Sequence, residues 1–145
     1  MEFTAKNELQ TAIIAKNLAK AIGKNKPIIY LSGNLGAGKT AFARSFIRFF
    51  GFKKVKSPTY AIVEPYENSK IKIYHFDFYR LSDFEELELI GVREYFDNIC
   101  LIEWAENFST HLPKSDLQIN LTGEVGRIIN ISANTTLGEK LLKKL

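Results

Sequence analysis

The feature of this chain that most constrains its fold is a glycine-rich motif between a short apolar run and a helical pattern. Residues 33–40 read Gly-Asn-Leu-Gly-Ala-Gly-Lys-Thr, a complete match to G-x-x-x-x-G-K-[ST]. The run 27–32 before it has strand character, and residues 41–50 after it have helical spacing. Because a strand, a glycine loop and a helix in this order aim a helix N-terminus at an anion, the motif predicts a P-loop for nucleotide phosphates.

The motif assigns roles to its own residues. The backbone N–H groups of such a loop surround phosphate oxygens, Lys39 reaches the outer phosphates, and the hydroxyl of Thr40 ligates Mg²⁺. We expect Lys39 to face solvent until phosphates arrive. The predicted nucleotide contacts are Gly33, Gly36, Ala37, Gly38, Lys39, Thr40 and Ala41.

Length and composition favour one globular domain that spans residues 1–145. Of the 145 residues, 46% are hydrophobic and 25% are charged, which is ordinary for a soluble protein. Neither a membrane span nor a secretory signal is recognisable. The only cysteine, Cys100, excludes an internal disulfide and is predicted to be an inert buried thiol. These features predict the cytoplasm, and the net charge of +4 favours a diffusely basic, solvated surface over a defined site.

Helical and strand patterns alternate in the first half of the chain, and strands dominate the second. A helical stripe covers residues 7–22, with Asn7 as its N-cap and Gly23 as its terminator. The other predicted elements are strands at 60–66 and 70–77 around a turn at 67–69, a helix from a capping box at 82–85 to about Ile90, a buried strand at 99–104, a hairpin of 117–121 and 127–131, and a helix from about Leu137. The pattern predicts an α/β fold: a P-loop NTPase-like sheet with flanking helices and antiparallel hairpins.

Two acidic residues follow apolar strands and are candidates for the carboxylate that a nucleotide site needs near Mg²⁺. Asp77 ends the run 74–77, and Glu103 directly follows the run 99–102. Because ligands of open α/β sheets lie outside the carboxyl ends of the strands, both acids are expected beside the P-loop. A surface or helix-capping role is the alternative for each.

The residues around these acids leave alternatives open. His75, Asp77 and Tyr79 alternate along one segment, so an extended chain would turn them to one side. A structural role is favoured over a catalytic one for His75. For Trp104, shielding of the site and packing in the core are equally favoured. Arg80 is placed to meet either phosphates or structural carboxylates.

Four blocks of the sequence together resemble a known family. They are the P-loop motif, Lys-Ser-Pro-Thr-Tyr at 56–60, Tyr-His-Phe-Asp-Phe-Tyr-Arg-Leu at 74–81, and Leu-Ile-Glu-Trp at 101–104. Over roughly residues 7–113 the chain resembles the TsaE/YjeE family, the ATPase subunit of bacterial tRNA threonylcarbamoyladenosine biosynthesis. The resemblance implies a small P-loop ATPase with ATP and Mg²⁺ as cofactors. Such a protein supports the transfer of a threonylcarbamoyl group onto the adenosine beside the tRNA anticodon.

The resemblance also implies roles for particular residues. Glu103 becomes a further Mg²⁺ ligand, Asp77 belongs to a Walker B-like block, and Thr59 belongs to a switch-like loop. The nucleotide base is implied to lie near the N-terminal segment from Glu8 to Thr11. The candidate catalytic residues are then Lys39, Thr59 and Asp77, and the candidate metal ligands are Thr40, Asp77 and Glu103.

The chain departs from the family at two loop positions. Asn34 stands where the family usually has an acid, and Ala41 stands where it often has a second threonine. Neither departure removes a group that phosphate or magnesium binding needs.

The arginines suggest that the site is incomplete alone. An arginine finger is worth roughly 10³–10⁵ in rate in phosphoryl transfer. Arg80 is the only arginine beside a site motif, and Arg127 is the sole arginine of residues 105–145. We therefore expect slow hydrolysis that partners stimulate. The resemblance implies that these partners are other subunits of the tRNA threonylcarbamoyl-transfer complex, with indirect contact to tRNA and no membrane.

Two other P-loop classes fit less well. A small-molecule or nucleoside kinase usually encloses its acceptor under an arginine-rich lid, which residues 105–145 do not offer. A GTP-dependent switch needs an N-K-x-D motif well after the P-loop. Here Asn25-Lys26 precedes the P-loop and lacks the aspartate.

Overall fold

The computed structural model describes residues 1–145 and places seven strands in one mixed sheet. The strands are β1 (Glu2–Ala5), β2 (Ile28–Ser32), β3 (Val63–Glu67), β4 (Lys72–Asp77), β5 (Ile99–Glu103), β6 (Leu117–Thr122) and β7 (Arg127–Ala133). The helices are α1 (Glu8–Ile22), α2 (Lys39–Phe49), α3 (Glu85–Leu89) and α4 (Thr136–Leu142), with 3-10 turns at Val92–Asp97 and Ala105–Phe108. The predicted α/β class, with helices flanking a sheet that includes antiparallel hairpins, is confirmed.

The order of the strands explains where the candidate residues meet. It runs β1-β7-β6-β2-β5-β4-β3, and β6, β2, β5 and β4 are parallel neighbours. Parallel strands end at the same edge of a sheet. Leu31 of β2 pairs with Glu103 of β5, and Glu103 pairs with Asp77 of β4. The P-loop and both acids therefore lie side by side at the carboxyl edge.

Helix α1 begins and ends where the sequence predicts. The side chain of Asn7 accepts a hydrogen bond from the N–H of Gln10 at 3.0 Å, and Gly23 ends the helix at a φ of 58°. Its apolar face packs with α2 against one side of the sheet, in a core that contains Leu18 and Phe46. Each such buried side chain contributes about 1.5–3 kcal/mol.

A second core covers the other side of the sheet. It joins strand residues such as Phe76 and Ile102 to Leu87 of α3 and Phe108 of the second 3-10 turn. Because both faces are covered, all five residues of β5 are buried, and the first four, Ile99–Ile102, are apolar. No helix of the structure combines the length and the apolar character needed to cross a membrane.

Three predicted strands are shorter in the structure, one of them being the strand expected from residue 70, which begins at Lys72. The strand expected from residue 60 begins only at Val63, because the carbonyl of Pro58 accepts the N–H of Ile62 at 2.8 Å and closes a turn. The strand expected to reach Trp104 ends at Glu103, since Trp104 has a φ of 61°. The sequence does not predict these turn or left-handed conformations, because non-glycine residues such as Ile62 and Trp104 rarely adopt a positive φ.

The prediction of a capping box at 82–85 is wrong, because α3 begins at Glu85 and its N-cap residue, Phe84, makes no capping side-chain hydrogen bond. Glu86, and not Glu85, accepts the backbone N–H of Ser82 at 3.1 Å, while Asp83 accepts the N–H of Glu86 at 3.2 Å. Several acids in a row satisfy the box pattern, so the spacing alone does not choose among them. Strand β1 and both 3-10 turns were not predicted, since segments this short carry little periodicity.

Candidate functional site

The glycines of the P-loop occupy positions that side chains would obstruct. Gly33 has a φ of 140° and Gly38 has a φ of 100°, which L residues with side chains rarely adopt. A Cβ on Gly33 would clash with the carbonyl oxygen of Leu121. A Cβ on Gly38 would lie 2.6 Å from Nη1 of Arg127. Both glycines thus let the loop pack closely against Leu121 of β6 and Arg127 of β7.

The loop presents backbone donors that nothing in the protein satisfies. The first N–H groups of a helix have no intrahelical acceptor, and Gly38 offers no capping side chain. The N–H groups of Lys39, Thr40 and Ala41, like those of Gly36 and Gly38, make no hydrogen bond to protein atoms. Unpaired donors at a helix N-terminus favour an anion. The predicted contacts from Gly33 to Ala41 therefore form a cradle whose chemistry suits phosphate oxygens.

The structure contradicts one expectation about Lys39. Its side chain does not face solvent; only 5% of the residue is exposed. Its ammonium donates to the carbonyl oxygens of Gly33 and Asn34 and lies 4.5 Å from the ring centroid of Trp104. Burial lowers the pKa of Lys39, although the nearby carboxylates, Glu103 foremost, act in the opposite direction. The loop folds back over its own lysine, which a linear motif does not reveal.

The two predicted acids are buried beside the loop without a Lys or Arg partner. Asp77 is 7% exposed and Glu103 is 2% exposed. No Lys or Arg nitrogen lies within 4.0 Å of either carboxylate. The hydroxyl of Thr40 donates to Oε1 of Glu103 at 3.4 Å, so two candidate metal ligands already touch. Buried carboxylates need a positive charge for stability, and hard oxygen donors suit Mg²⁺.

His75 fixes one of these acids. It is fully buried, and its Nε2 lies 2.7 Å from Oε1 of Glu103. Its Nδ1 is buried without a hydrogen-bond partner. A charged imidazole would leave a buried N–H at Nδ1 unpaired, so we assign the neutral ring with the proton on Nε2, donating to Glu103. His75 has a structural role, as predicted, and the group that it positions is the carboxylate of Glu103 in the candidate site.

Asp77 is oriented by a different set of groups. Its Oδ2 accepts the hydroxyl of Thr59 at 3.3 Å, and its Oδ1 accepts the backbone N–H of Tyr79 at 2.9 Å. The contact with Tyr79 closes a turn after β4. The prediction that Tyr79 shares one strand face with His75 and Asp77 is therefore wrong. The Tyr79 ring packs against Trp104 with centroids 4.9 Å apart.

Trp104 combines both roles considered for it. It lines the P-loop cavity, and it also packs against the second core. Arg80 lies beside it in the same cavity, with its guanidinium 4.2 Å from the ring centroid of Tyr60. The cavity, of about 360 Å³, is bordered by the loop, Thr59 and both acids. The structure thus brings together every predicted catalytic and metal-ligating residue.

Arg127 is a site residue that sequence reasoning missed. It opens β7, far along the chain, yet its guanidinium covers Gly38, and its Nη1 lies 3.4 Å from the hydroxyl of Thr11. Its Nε is buried without a partner. Only the return of the β6–β7 hairpin places it here, so no local signal existed. Arg127 thus contacts Thr11, from the segment Glu8 to Thr11 implied to lie near the base, whose role in base binding stays a prediction.

Comparison with known proteins identifies the family. A family model described as "Threonylcarbamoyl adenosine biosynthesis protein TsaE" matches residues 5–129. The chain is 44% identical to the tRNA threonylcarbamoyladenosine biosynthesis protein TsaE of Haemophilus influenzae, over 88% of this chain and 84% of that one. It is 38% identical to the protein of the same name from Bacillus subtilis, over 96% of this chain and 89% of that one.

A solved structure supports the same assignment. The crystal structure of Bacillus subtilis YdiB superposes with a TM-score of 0.80 at 31% identity, covering 99% of this chain and 92% of that one. The P-loop NTPase fold and the resemblance noted in the sequence are confirmed. With its glycine loop, its two buried acids and their shared edge, the chain belongs to the TsaE family.

Proposed function

We propose that this chain binds ATP with Mg²⁺ at the carboxyl edge of its sheet and hydrolyses it slowly, in support of tRNA threonylcarbamoyladenosine formation. One observation carries the proposal. Two buried carboxylates without a Lys or Arg partner lie beside a helix N-terminus whose N–H groups are unpaired. The two carboxylates favour binding of a cation, and the N–H groups of the loop favour binding of an anion. A complex of a metal ion with a polyphosphate provides both charges.

The donor set suits magnesium in particular. No group of three or more His, Cys, Asp or Glu side chains is arranged to hold a metal ion. Magnesium bound with nucleotide needs only one or two protein oxygens, because phosphates and water complete its shell. Thr40 and Glu103 would hold it directly and Asp77 through water, and the bound ion would neutralise charge on the phosphates.

The protein side chains divide the remaining work. The ammonium of Lys39 exchanges its carbonyl partners for the outer phosphates, which are far stronger acceptors for a cation. Asp77, held by Thr59 and the Tyr79 N–H, has its carboxylate at the cavity and orients the attacking water. His75 keeps Glu103 in one rotamer by its hydrogen bond. The cytoplasmic location and the partner subunits stay predictions.

Stimulation by partners is the expected kinetic signature. Residues 105–145 form a 3-10 turn, β6, β7 and α4, and Arg127, their only arginine, lies over Gly38, so they provide no arginine-rich lid. We expect slow phosphate release by the purified chain and a rise of at least about tenfold with its partner subunits. Steady-state phosphate release without any acceptor substrate measures both. Fast turnover that partners leave unchanged would place the protein among self-sufficient ATPases. Turnover that requires a small acceptor would place it among kinases.

A matched pair of variants at His75 tests its positioning role. His75→Gln carries an amide N–H close to the position of Nε2, whereas His75→Leu removes the donor. We expect His75→Leu to weaken ATP binding about tenfold in the presence of Mg²⁺, since Glu103 loses a charge-assisted hydrogen bond. Without Mg²⁺ the two variants should bind ATP equally. If His75→Gln fails to recover the magnesium-dependent part of the affinity, His75 serves packing alone.

A further inference from the structure

A second concave surface, strongly basic, lies at the opposite edge of the sheet from the P-loop. A cavity of about 800 Å³ opens there, and its charged lining is Lys24, Lys26, Lys70 and Lys72. We call this surface the lysine edge. Lys24 and Lys26 precede β2, whereas Lys70 precedes β4 and Lys72 is its first residue. The far ends of these two strands carry the P-loop and Asp77. Five strand residues, about 16 Å, therefore separate the lysine edge from the candidate ATP site.

Most of the positive charge at this edge is not neutralised. Lys72 pairs with Glu67 at 3.0 Å, but the other three lysines form no salt bridge. All four lysines are exposed. Asp97, next to the lining residue Asn98, is the other acid close along the chain. The balance leaves a concentrated positive field that attracts polyanions.

The uncharged side chains of the lysine edge add hydrogen-bond donors. Oδ1 of Asn68 accepts the N–H groups of Lys70 and Ile71 at 2.9 and 3.0 Å, so its free group is the amide NH₂. The side chain of Asn98 makes no hydrogen bond within the protein. Both residues line the cavity. Phosphodiester oxygens are acceptors only, and they match a surface of ammonium and amide donors.

An aromatic patch adjoins the lysines. Phe50 lines the cavity and is half-buried, and its ring meets that of Phe49 at 5.3 Å in an edge-to-face pair. Phe49 is 44% exposed. Lys53 and Lys54, both exposed, follow this pair in the chain. Lysines that track a backbone, interleaved with exposed aromatic rings, are the usual elements of a sequence-tolerant nucleic-acid surface.

We propose that the lysine edge binds the sugar–phosphate backbone of RNA. The ammonium groups are spread over two loops, and no arginine fork or buried cation is aimed at a single anion. Flexible lysines act as point charges and suit a row of phosphates. The proposal takes tRNA as the physiological RNA from the proposed role in tRNA threonylcarbamoyladenosine formation. It replaces the indirect tRNA contact that the resemblance implied with a direct one.

The test uses the full chain, an unmodified tRNA transcript and fluorescence polarisation at several KCl concentrations. The variant is the triple change Lys24→Gln, Lys26→Gln and Lys70→Gln. A matched control removes the same charge elsewhere through Lys16→Gln, Lys140→Gln and Lys144→Gln, all exposed positions outside the cavity. Mg-ATP binding and the midpoint of thermal unfolding are followed for both variants.

We expect the triple variant to bind tRNA at least about tenfold more weakly at 100 mM KCl, and its slope of log K against log salt to fall by two to three units. The control should bind like the parent chain. Equal losses in both variants would show only net-charge attraction and would overturn the proposal. So would polyglutamate competing as well as tRNA, since the surface would then suit acidic protein. Failure of the parent chain to bind Mg-ATP would overturn the proposed ATPase and not the RNA surface, because the candidate ATP site lies at the other edge of the sheet.

Discussion

Lys39→Ala is expected to lose most of its affinity for ATP, about 10- to 100-fold, while the chain still folds. A hydrogen bond from a charged donor contributes about 1.5–3 kcal/mol, and each 1.4 kcal/mol is tenfold in affinity. The fold should survive because the lysine contacts only its own loop and Trp104. Isothermal titration calorimetry with Mg-ATP measures the loss, and circular dichroism on heating reports the fold.

Lys39→Met is the matched control for packing. It keeps an unbranched stem under Trp104 and removes only the charge. We expect it to bind ATP as weakly as Lys39→Ala and to unfold closer to the parent protein. A cooperative fold combined with unchanged ATP affinity in either variant would contradict the assignment of the P-loop.

The second large effect separates the two buried acids. Asp77→Asn should keep most of the ATP affinity and lose turnover by about 10² or more, the usual scale for a group that orients a reacting proton. The substitution is nearly isosteric, and the amide oxygen still accepts the N–H of Tyr79. Phosphate release measured with the stimulating partners, where the parent rate is highest, gives the widest range.

Glu103→Gln should instead act on binding. A neutral amide lacks the charge that a hard cation needs, so the gain in ATP affinity on adding Mg²⁺ should shrink, whereas affinity in EDTA should not. The hydrogen bond from His75 can persist to the amide oxygen, which protects the core. If the two acid variants change affinity and rate alike, the division of labour between Asp77 and Glu103 is wrong.

Sequence alone predicts the features that depend on residues close together in the chain. The P-loop, the cap at Asn7 and the acid after a wholly apolar strand each depend on a short stretch of chain. Asp77 and Glu103 were placed together because parallel strands share an edge, which the register of β4 and β5 bears out.

The missed features depend on contacts between distant parts of the chain. The bond between His75 and Glu103 needs a register across residues 28 positions apart. Arg127 reaches Gly38 only because the last hairpin returns to the sheet beside β2. The concentration of lysines is likewise not visible in the sequence, where a net charge of +4 indicates only a diffusely basic surface. Two loops at the amino edge of the sheet bring those lysines together.

The burial of Cys100 has a practical consequence. Its thiol is wholly enclosed in β5, the strand between β2 and β4, and burial raises its pKa to about 12. An alkylating reagent can reach this sulfur only when the centre of the sheet opens, because the side chain is fully buried and burial disfavours the reactive thiolate. The rate at which Cys100 is alkylated therefore reports the rate or the extent of sheet opening. Any ligand that slows the alkylation of Cys100 binds the folded protein, at whichever edge of the sheet it lies.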